Sequence, residues 1–331
     1  MKKIFLYTVK LLGGFWLARF ILRDKTLILA YHGFEVIDES DFRPQLFIKK
    51  STFEKRLRYI NKHCNVIKLD ELFKNKDLNN SVVITIDDGW ASTLSVAAPL
   101  LNRFEFPYTI YLTTESVLVE QPIFHILLDY ILRRSLGKSL FISNEVGCIE
   151  STIVSLENLS QLTSKIDKLK AKKSDTELLR KIAINLEFDL DEVLFKKAFH
   201  LLSADEVREV VNLNADIQLH THTHHTYLDN EKAFIGEIVV NQSHISDITG
   251  TKATHHCYPS GSYNEECFKA LQTLNIKSAT TCVPGFCDDT TNTLELPRFL
   301  DGENIPQIVF EAEVSGVLEL LRACKRKLFS R

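Results

Sequence analysis

The sequence predicts an α/β protein built on a mainly parallel sheet or barrel and interrupted by one helical insertion. Three observations predict it. Short apolar runs recur ahead of amphipathic helical stretches, which is the alternation that βαβ units produce. The run SVVITIDDGW (81–90) is apolar at Val82, Val83, Ile84 and Ile86, as a strand buried on both faces requires. Between 115 and 200 this alternation gives way to Leu, Lys and acidic residues at helical spacing, so that segment reads as the insertion.

The elements follow in order. TLILAYH (26–32) is a buried strand that ends in polar residues. Ser51 is placed to cap a helix in which Phe53, Leu57 and Ile60 share a face. NVIKLDEL opens a further strand or turn. After the 81–90 strand comes a helix holding Leu94, Val96 and Ala97 that ends near Pro99, then the strand PYTIYLTT (107–114). Within the insertion, PIFHILLDYILRR is an amphipathic helix, and the charge run near 165–181 reads as a solvated face. Ser203-x-x-Glu206 is a capping box that opens a helix reaching Asn212. Four segments complete the strands: ADIQLH (215–220), ATHHCYP (253–259), SATTCVP (278–284) and LELPRFL (294–300). A helix from Glu265 to Leu274 stands among them.

At 331 residues, 45% apolar and 25% charged, the chain accommodates two domains or one barrel with insertions. A net charge of −3 argues against a nucleic-acid partner. Seven cysteines at irregular spacing, without a CxxC pair, suit a reducing compartment and read as mostly inert buried thiols. The organisation expected is a basic amphipathic helix over 1–25, barrel over 26–114, insertion over 115–200, barrel over 201–310 and a basic helix over 311–331.

The first of these segments imitates a targeting signal. Lys10 interrupts its apolar run and no small-x-small cleavage site follows. Lys10 and Arg19 also disfavour a bilayer span. A helix carrying Phe5, Leu6, Val9, Leu12, Trp16, Leu17, Phe20 and Ile21 suits a membrane surface, and GVLELLRACKRKLFSR at the other end repeats the pattern. Packing of both helices on the domain they flank is the alternative reading. The location expected is cytoplasmic, peripheral on the inner face of the membrane.

Two features carry chemistry. Asp87-Asp88-Gly89 ends the most apolar strand, where the catalytic end of a parallel sheet lies. Two adjacent carboxylates there repel, and a bound cation relieves the repulsion. His220-Thr221-His222-Thr223-His224-His225 also follows an apolar run. If that segment leaves the strand as a helical turn, His220 and His224 lie four apart on one face and share a metal. With an aspartate they form a two-His, one-carboxylate set that leaves open positions for water and substrate.

On these residues the sequence resembles the polysaccharide deacetylases of the NodB-homology group, the fourth carbohydrate esterase family. VVITIDDGW resembles the family's T-F-D-D-G motif with Ile86 in place of Phe, and HTHTH at 220–224 its H-[S/T]-x-x-H motif. YPSG at 258–261 is similar to a weakened third motif, and ILAYHGF, LFIKKSTFEKRLRYI and LLSADEVREV extend the match. The resemblance implies a distorted (β/α) barrel and one divalent metal, commonly zinc. It makes Asp88, His220 and His224 the ligands and Asp87 the general base. The substrate and oxyanion position then falls on Tyr258, Pro259 and Ser260, with the Ser260 N–H facing the oxyanion. Thr221 orders the histidine loop.

Two departures stand out. The family's third motif carries an arginine two residues before the proline, where this chain has Cys257; Arg298 is the candidate to orient the base instead. The family's acid histidine lies near the end of the domain, yet no histidine follows His256. His32, His255 and His256 are the candidates, alongside water or Asp87 acting twice.

The activity implied is hydrolytic removal of an N-acyl group, most often acetyl, from an amino sugar of a surface polysaccharide or its lipid-linked or nucleotide-linked precursor. A polyprenyl-linked glycan at the membrane is the partner that the basic amphipathic ends suggest. A non-catalytic saccharide-binding or assembly protein on a decayed barrel is a second reading, motivated by the two departures. A non-haem iron oxygenase is a third, which the Asp-Asp pair disfavours.

Overall fold

The computed structural model describes residues 2–74, 79–143, 146–170 and 175–329. Part of the charge run near 165–181 and the end of the basic C-terminal segment lie outside them.

The first half of the chain supplies β1 (Thr26–Tyr31), β2 (Gly33–Phe34), β3 (Phe47–Ile48), β4 (Asn65–Val66), β5 (Ser81–Asp88) and β6 (Tyr108–Leu112). The insertion holds β7 (Ser139–Ser143) and β8 (Cys148–Ile153). After it come β9 (Ala215–Leu219), β10 (His255–Cys257), β11 (Ser278–Thr280), β12 (Phe286–Cys287) and β13 (Phe299–Leu300). Nine strands form one sheet in the order β11-β10-β9-β6-β5-β1-β12, with β13 also on β1 and β4 on β5. All its pairings are parallel except β1 with β12.

The sheet curls into a distorted barrel. The segment before β13 draws its two sides together, since Leu296 bridges Thr280 of β11 while Phe299 and Leu300 pair with β1. Strand alternation then sorts the side chains. Leu27, Leu29, Ile84, Ile86, Ile110 and Leu112 pack outward against the helices. Ile28, Val83, Tyr111, Cys257 and Leu296 fill the interior.

Several local expectations change. Lys49, not Ser51, precedes the helix Lys50–His63, so Ser51 lies inside the first turn and caps nothing. Pro99 does not end its helix. A π-helical turn over Thr93–Ala97 runs directly into Ala98–Arg103, and Pro99 sits in the first turn of that second part, where its missing N–H costs nothing. The Ser203 box forms as expected: Ser203 Oγ accepts from Glu206 N at 3.2 Å, and Glu206 accepts from Ser203 N at 2.8 Å.

The insertion is helical over Phe124–Arg134, Leu159–Asp167, Thr176–Asn185 and Leu190–Phe195, but β7 and β8 add an antiparallel hairpin. The alternating burial of SLFIS identifies β7 as a half-buried strand. This unit has its own apolar core, which also takes in Trp90 and Phe47. Its exit is stapled to the loop after β5, where Ala91 N donates to His200 O and Leu202 N to Gly89 O. The insertion therefore grows from the loop that carries Asp88.

The terminal segments differ as well. Residues 4–22 are not one helix: Lys2–Leu11 and Gly14–Ile21 meet at Gly13, whose φ of 80° breaks the helix. At the other end Gly316, at φ 82°, separates Gln307–Val314 from Val317–Phe329.

Candidate metal and catalytic site

All the chemistry gathers at the carboxyl ends of β1, β5 and β9. Along β5 the inward residues are Val83, Thr85 and Asp87, so Asp87 faces the barrel interior and is 3% exposed. Asp88 then leaves the strand with φ 69°, followed by Gly89 at φ 85°. That turn sends two adjacent carboxylates to different partners, which resolves their repulsion. A side chain at Gly89 would also strike Leu112 Cδ1, 2.4 Å from where its Cβ would sit.

Asp88 Oδ1 lies 3.2 Å from His220 Nε2 and 3.3 Å from His224 Nε2. The histidine segment is not a helical turn. It is an irregular loop in which Thr221 at φ 63° and His224 at φ 58° fold the chain back, so that His224 returns over His220 with ring centroids 5.0 Å apart. Thr221 Oγ1 accepts from His225 N and holds the loop closed. His222 turns away to Thr114 Oγ1, 2.9 Å from its Nδ1, and His225 packs on Tyr227.

The donor set fits a divalent ion. One oxygen and two imidazole nitrogens lie within 4.8 Å of one another. His220 Nδ1 bonds the Cys257 carbonyl at 2.8 Å, which leaves Nε2 as the lone-pair donor, and Trp90 Nε1 donates to Asp88 Oδ2 at 2.9 Å. Burial would raise the Asp88 carboxyl, but hydrogen bonds from the two histidines hold it well below the usual range. Burial lowers His220 and the two carboxylates more than offset that, so its pKa rises.

Asp87 belongs to Arg298. Nη1 and Nη2 of this fully buried guanidinium reach Oδ1 and Oδ2 at 2.7 and 2.8 Å. The arginine precedes β13 instead of following a strand, and its side chain extends through the barrel interior. Nε donates to Thr281 O at 3.0 Å, Nη1 to Thr85 Oγ1 at 3.1 Å and Nη2 to Cys257 Sγ at 3.0 Å. Burial pushes Asp87 up, but Arg298 holds it below the ordinary value and therefore ionised. Asp87, His220 and Cys257 also converge, yet the guanidinium covers both oxygens of Asp87, and burial raises the Cys257 thiol far from a thiolate.

His32 reaches this site with Nε2 3.8 Å from Asp87 Oδ2. The other two acid candidates do not. His255 is held low in the barrel between Ser278 Oγ at 2.8 Å and Asp70 Oδ1 at 3.3 Å. His256 points outward and packs between Phe234 and Tyr258. Alternation along β10 explains both. Tyr258 and Pro259 are buried too: the Tyr258 hydroxyl donates to Leu294 O at 3.0 Å and its N–H to Thr280 O at 3.3 Å. These bonds engage the Tyr258 hydroxyl and N–H within the protein. Ser260 alone of the three is exposed, at φ 57°.

Sequence reasoning missed three supporting residues. Trp90 is one. Asn241 takes His220 N on Oδ1 at 3.0 Å and donates to Leu112 O at 2.9 Å. Glu237 accepts from Thr223 N and Oγ1 at 2.7 and 2.8 Å. Glu237 and Asn241 lie four apart on the buried side of Glu231–Thr249, and that polar pair among Phe234, Ile238 and Ile245 was the available signal.

Comparison with known proteins identifies the family and the fold. Residues 74–279 match the family described as polysaccharide deacetylase, well over half of the chain. Both Asp87 and Asp88 and the two metal-side histidines lie inside that span; His32 and Arg298 lie outside it. No curated protein matches the chain. Among solved structures, a Streptococcus pyogenes deacetylase, PplD, in complex with acetate superposes with a TM-score of 0.58 at 14% identity, covering 89% of this chain and 97% of that one. A de-N-acetylase from Aggregatibacter actinomycetemcomitans gives 0.55 at 13%, covering 88% and 100%. IcaB from Ammonifex degensii gives 0.54 at 14%, covering 88% and 97%.

Proposed function

Because the chain belongs to the polysaccharide deacetylase family, whose members hydrolyse carbon–nitrogen bonds other than peptide bonds, we propose that it removes an N-acyl group, acetyl in the first instance, from an amino sugar of a surface polysaccharide or of its lipid-linked precursor. The observation that carries this reading is the division of labour between neighbours, Asp88 facing two imidazoles and Asp87 clamped by Arg298.

Asp88, His220 and His224 would hold the metal, for which zinc is the proposed ion. Bound there, a divalent ion lowers the pKa of water and polarises an acyl carbonyl. The chain's own residues do the rest. Asp87, kept ionised by Arg298, accepts the proton of the attacking water. Arg298 fixes both oxygens of that base, so the carboxylate waits in one orientation. His32, 3.8 Å from Asp87 Oδ2, protonates the departing amine. The exposed Ser260 N–H faces the oxyanion. Arg298 also supplies the positive charge that Cys257 lacks, which removes one motive for a silent barrel.

The test is release of free amine from N-acetylated oligosaccharides by zinc-loaded protein, with Asp87→Asn as control. Release lost in the control supports the reading. Saccharide binding without release by the wild-type protein overturns it in favour of a binding module.

A further inference from the structure

The two ends of the chain, some 300 residues apart, converge into one surface, and we infer that this surface docks on an anionic lipid bilayer. Leu6, Phe15 and Ala18 of the first two helices form a small buried core with Ile308, Ala312 and Val317 of the last two. The opposite face is left bare. Leu11, Leu12 and Trp16 are 87%, 81% and 66% exposed, and Ile4, Phe5, Leu17, Phe20 and Ile21 are exposed beside them. An apolar patch of this density is foreign to a surface that meets only water.

Charge selects the occupant. The four helices bring Lys3, Lys10, Arg19, Arg23, Arg322, Lys325 and Arg326 to this pole, against Asp24, Glu311, Glu313 and Glu319, which pair with Arg23, Lys10, Arg322 and Arg326, so the pole is basic on balance. The chain as a whole is negative, so this pole is set apart, as attraction to acidic headgroups requires. Trp16 stacks on Phe20 with centroids 5.9 Å apart, an aromatic pair suited to the headgroup boundary. No single described helix is long and apolar enough to cross a membrane, and the first two are bent by 80°. The surface lies on the bilayer with its apolar face immersed.

The platform is tied to the amino ends of the strands. Asn80 N, just before β5, donates to Arg23 O at 2.7 Å, and Lys25 pairs with Asp288 at 2.6 Å. His32, Asp87 and Asp88 stand at the carboxyl ends, six residues of β1 or about 20 Å away. On the deacetylase reading, which this step rests on, the acyl sugar is therefore borne by a glycan chain long enough to rise from the bilayer.

Flotation of the full-length protein with vesicles tests the docking. The wild-type chain is expected to float with phosphatidylcholine vesicles containing phosphatidylglycerol, less with phosphatidylcholine alone, and less in high salt. Leu12→Ser/Trp16→Ser is expected to lower the bound fraction about tenfold, with unchanged thermal melting and unchanged amine release from a soluble saccharide. Equal flotation of both proteins overturns the inference. So does a dimer that the double variant splits while neither protein floats. The reach is tested by amine release from an acetylated tetrasaccharide lipid against a monosaccharide lipid in the same vesicles. Equal rates overturn the reach but leave the docking standing, and the soluble saccharide reports separately on the deacetylase reading.

Discussion

Arg298 grips both carboxylate oxygens of Asp87, at 2.7 and 2.8 Å, from a point 211 residues further along the chain, and neither side chain is more than slightly exposed. The pair is the keystone of the barrel interior as well as of the site. Arg298→Met leaves a buried carboxylate without its partner, a change that costs about 3–5 kcal/mol. Urea unfolding at pH 7 is expected to show that loss, with kcat/KM falling further than stability accounts for. Cys257→Arg/Arg298→Ala returns the arginine to the third-motif position and is expected to recover part of both. No recovery of kcat/KM in that double variant would show that the orientation supplied by Arg298 cannot be supplied from β10.

The candidate metal site draws two of its three donors from a loop, so a bound metal would be linked to the fold. After chelation, zinc returned at 100 times its dissociation constant is expected to raise stability by about 2.7 kcal/mol, the gain that binding to the native state alone gives. His224→Ala removes one of three donors and is expected to abolish most of that gain in thermal melts. His222→Ala, at a histidine turned toward Thr114, is expected to retain it. An equal loss from both variants would move the metal elsewhere in the loop.

How much of this was legible in the sequence follows from which forces act locally. Strand alternation and apolar runs are local, and β1, β5, β6 and β9 lie where their sequences put them. The Ser203 box is local too. By contrast, Ser51 and Lys49 compete for one cap within two residues, and only the approach of Glu303, which accepts from Lys49 N at 3.0 Å, settles the helix start. Sequence placed Asp87, Asp88, His220 and His224 together through their motifs. It could not show that Thr221 and His224 adopt positive φ, which is rare for any non-glycine residue and rarest for a β-branched one such as Thr. Nor could it separate His32 from His255 and His256, since the direction of a side chain on β10 depends on register. The convergence of the two termini is invisible for the same reason: it rests on tertiary packing of Leu6, Phe15 and Ala18 with Ile308, Ala312 and Val317.

A buried acid outside the site sets a pH slope of its own. Burial raises Glu39 from 4.5 to about 7, although Ile37 N and Val36 N both donate to its Oε2 at 2.9 Å. A folded pKa above the unfolded one means that the native state holds the proton more tightly. The contribution to stability is complete below about pH 4 and is lost as pH rises through 7. At 1.36 kcal/mol per unit the loss is on the order of 3 kcal/mol. Glu39→Gln keeps an acceptor for the two N–H groups and is expected to flatten the dependence of unfolding free energy on pH between 5 and 7. An unchanged slope would place the titration on another group.

His32 is the last test. It stands at the carboxyl end of β1, 3.8 Å from Asp87, while the histidines of β10 are turned low or outward. Geometry thus leaves His32 as the histidine placed to hand a proton to the amine. General-acid catalysis contributes about 10²–10⁴-fold. His32→Gln is expected to lower kcat on an N-acetylated amino sugar by that range. An activated aryl ester supplies the contrast. The aryl leaving group departs without protonation, so its hydrolysis is expected to be nearly indifferent to His32→Gln. If the amide substrate is indifferent as well, the proton comes from water or returns from Asp87, and His32 serves only to flank the base.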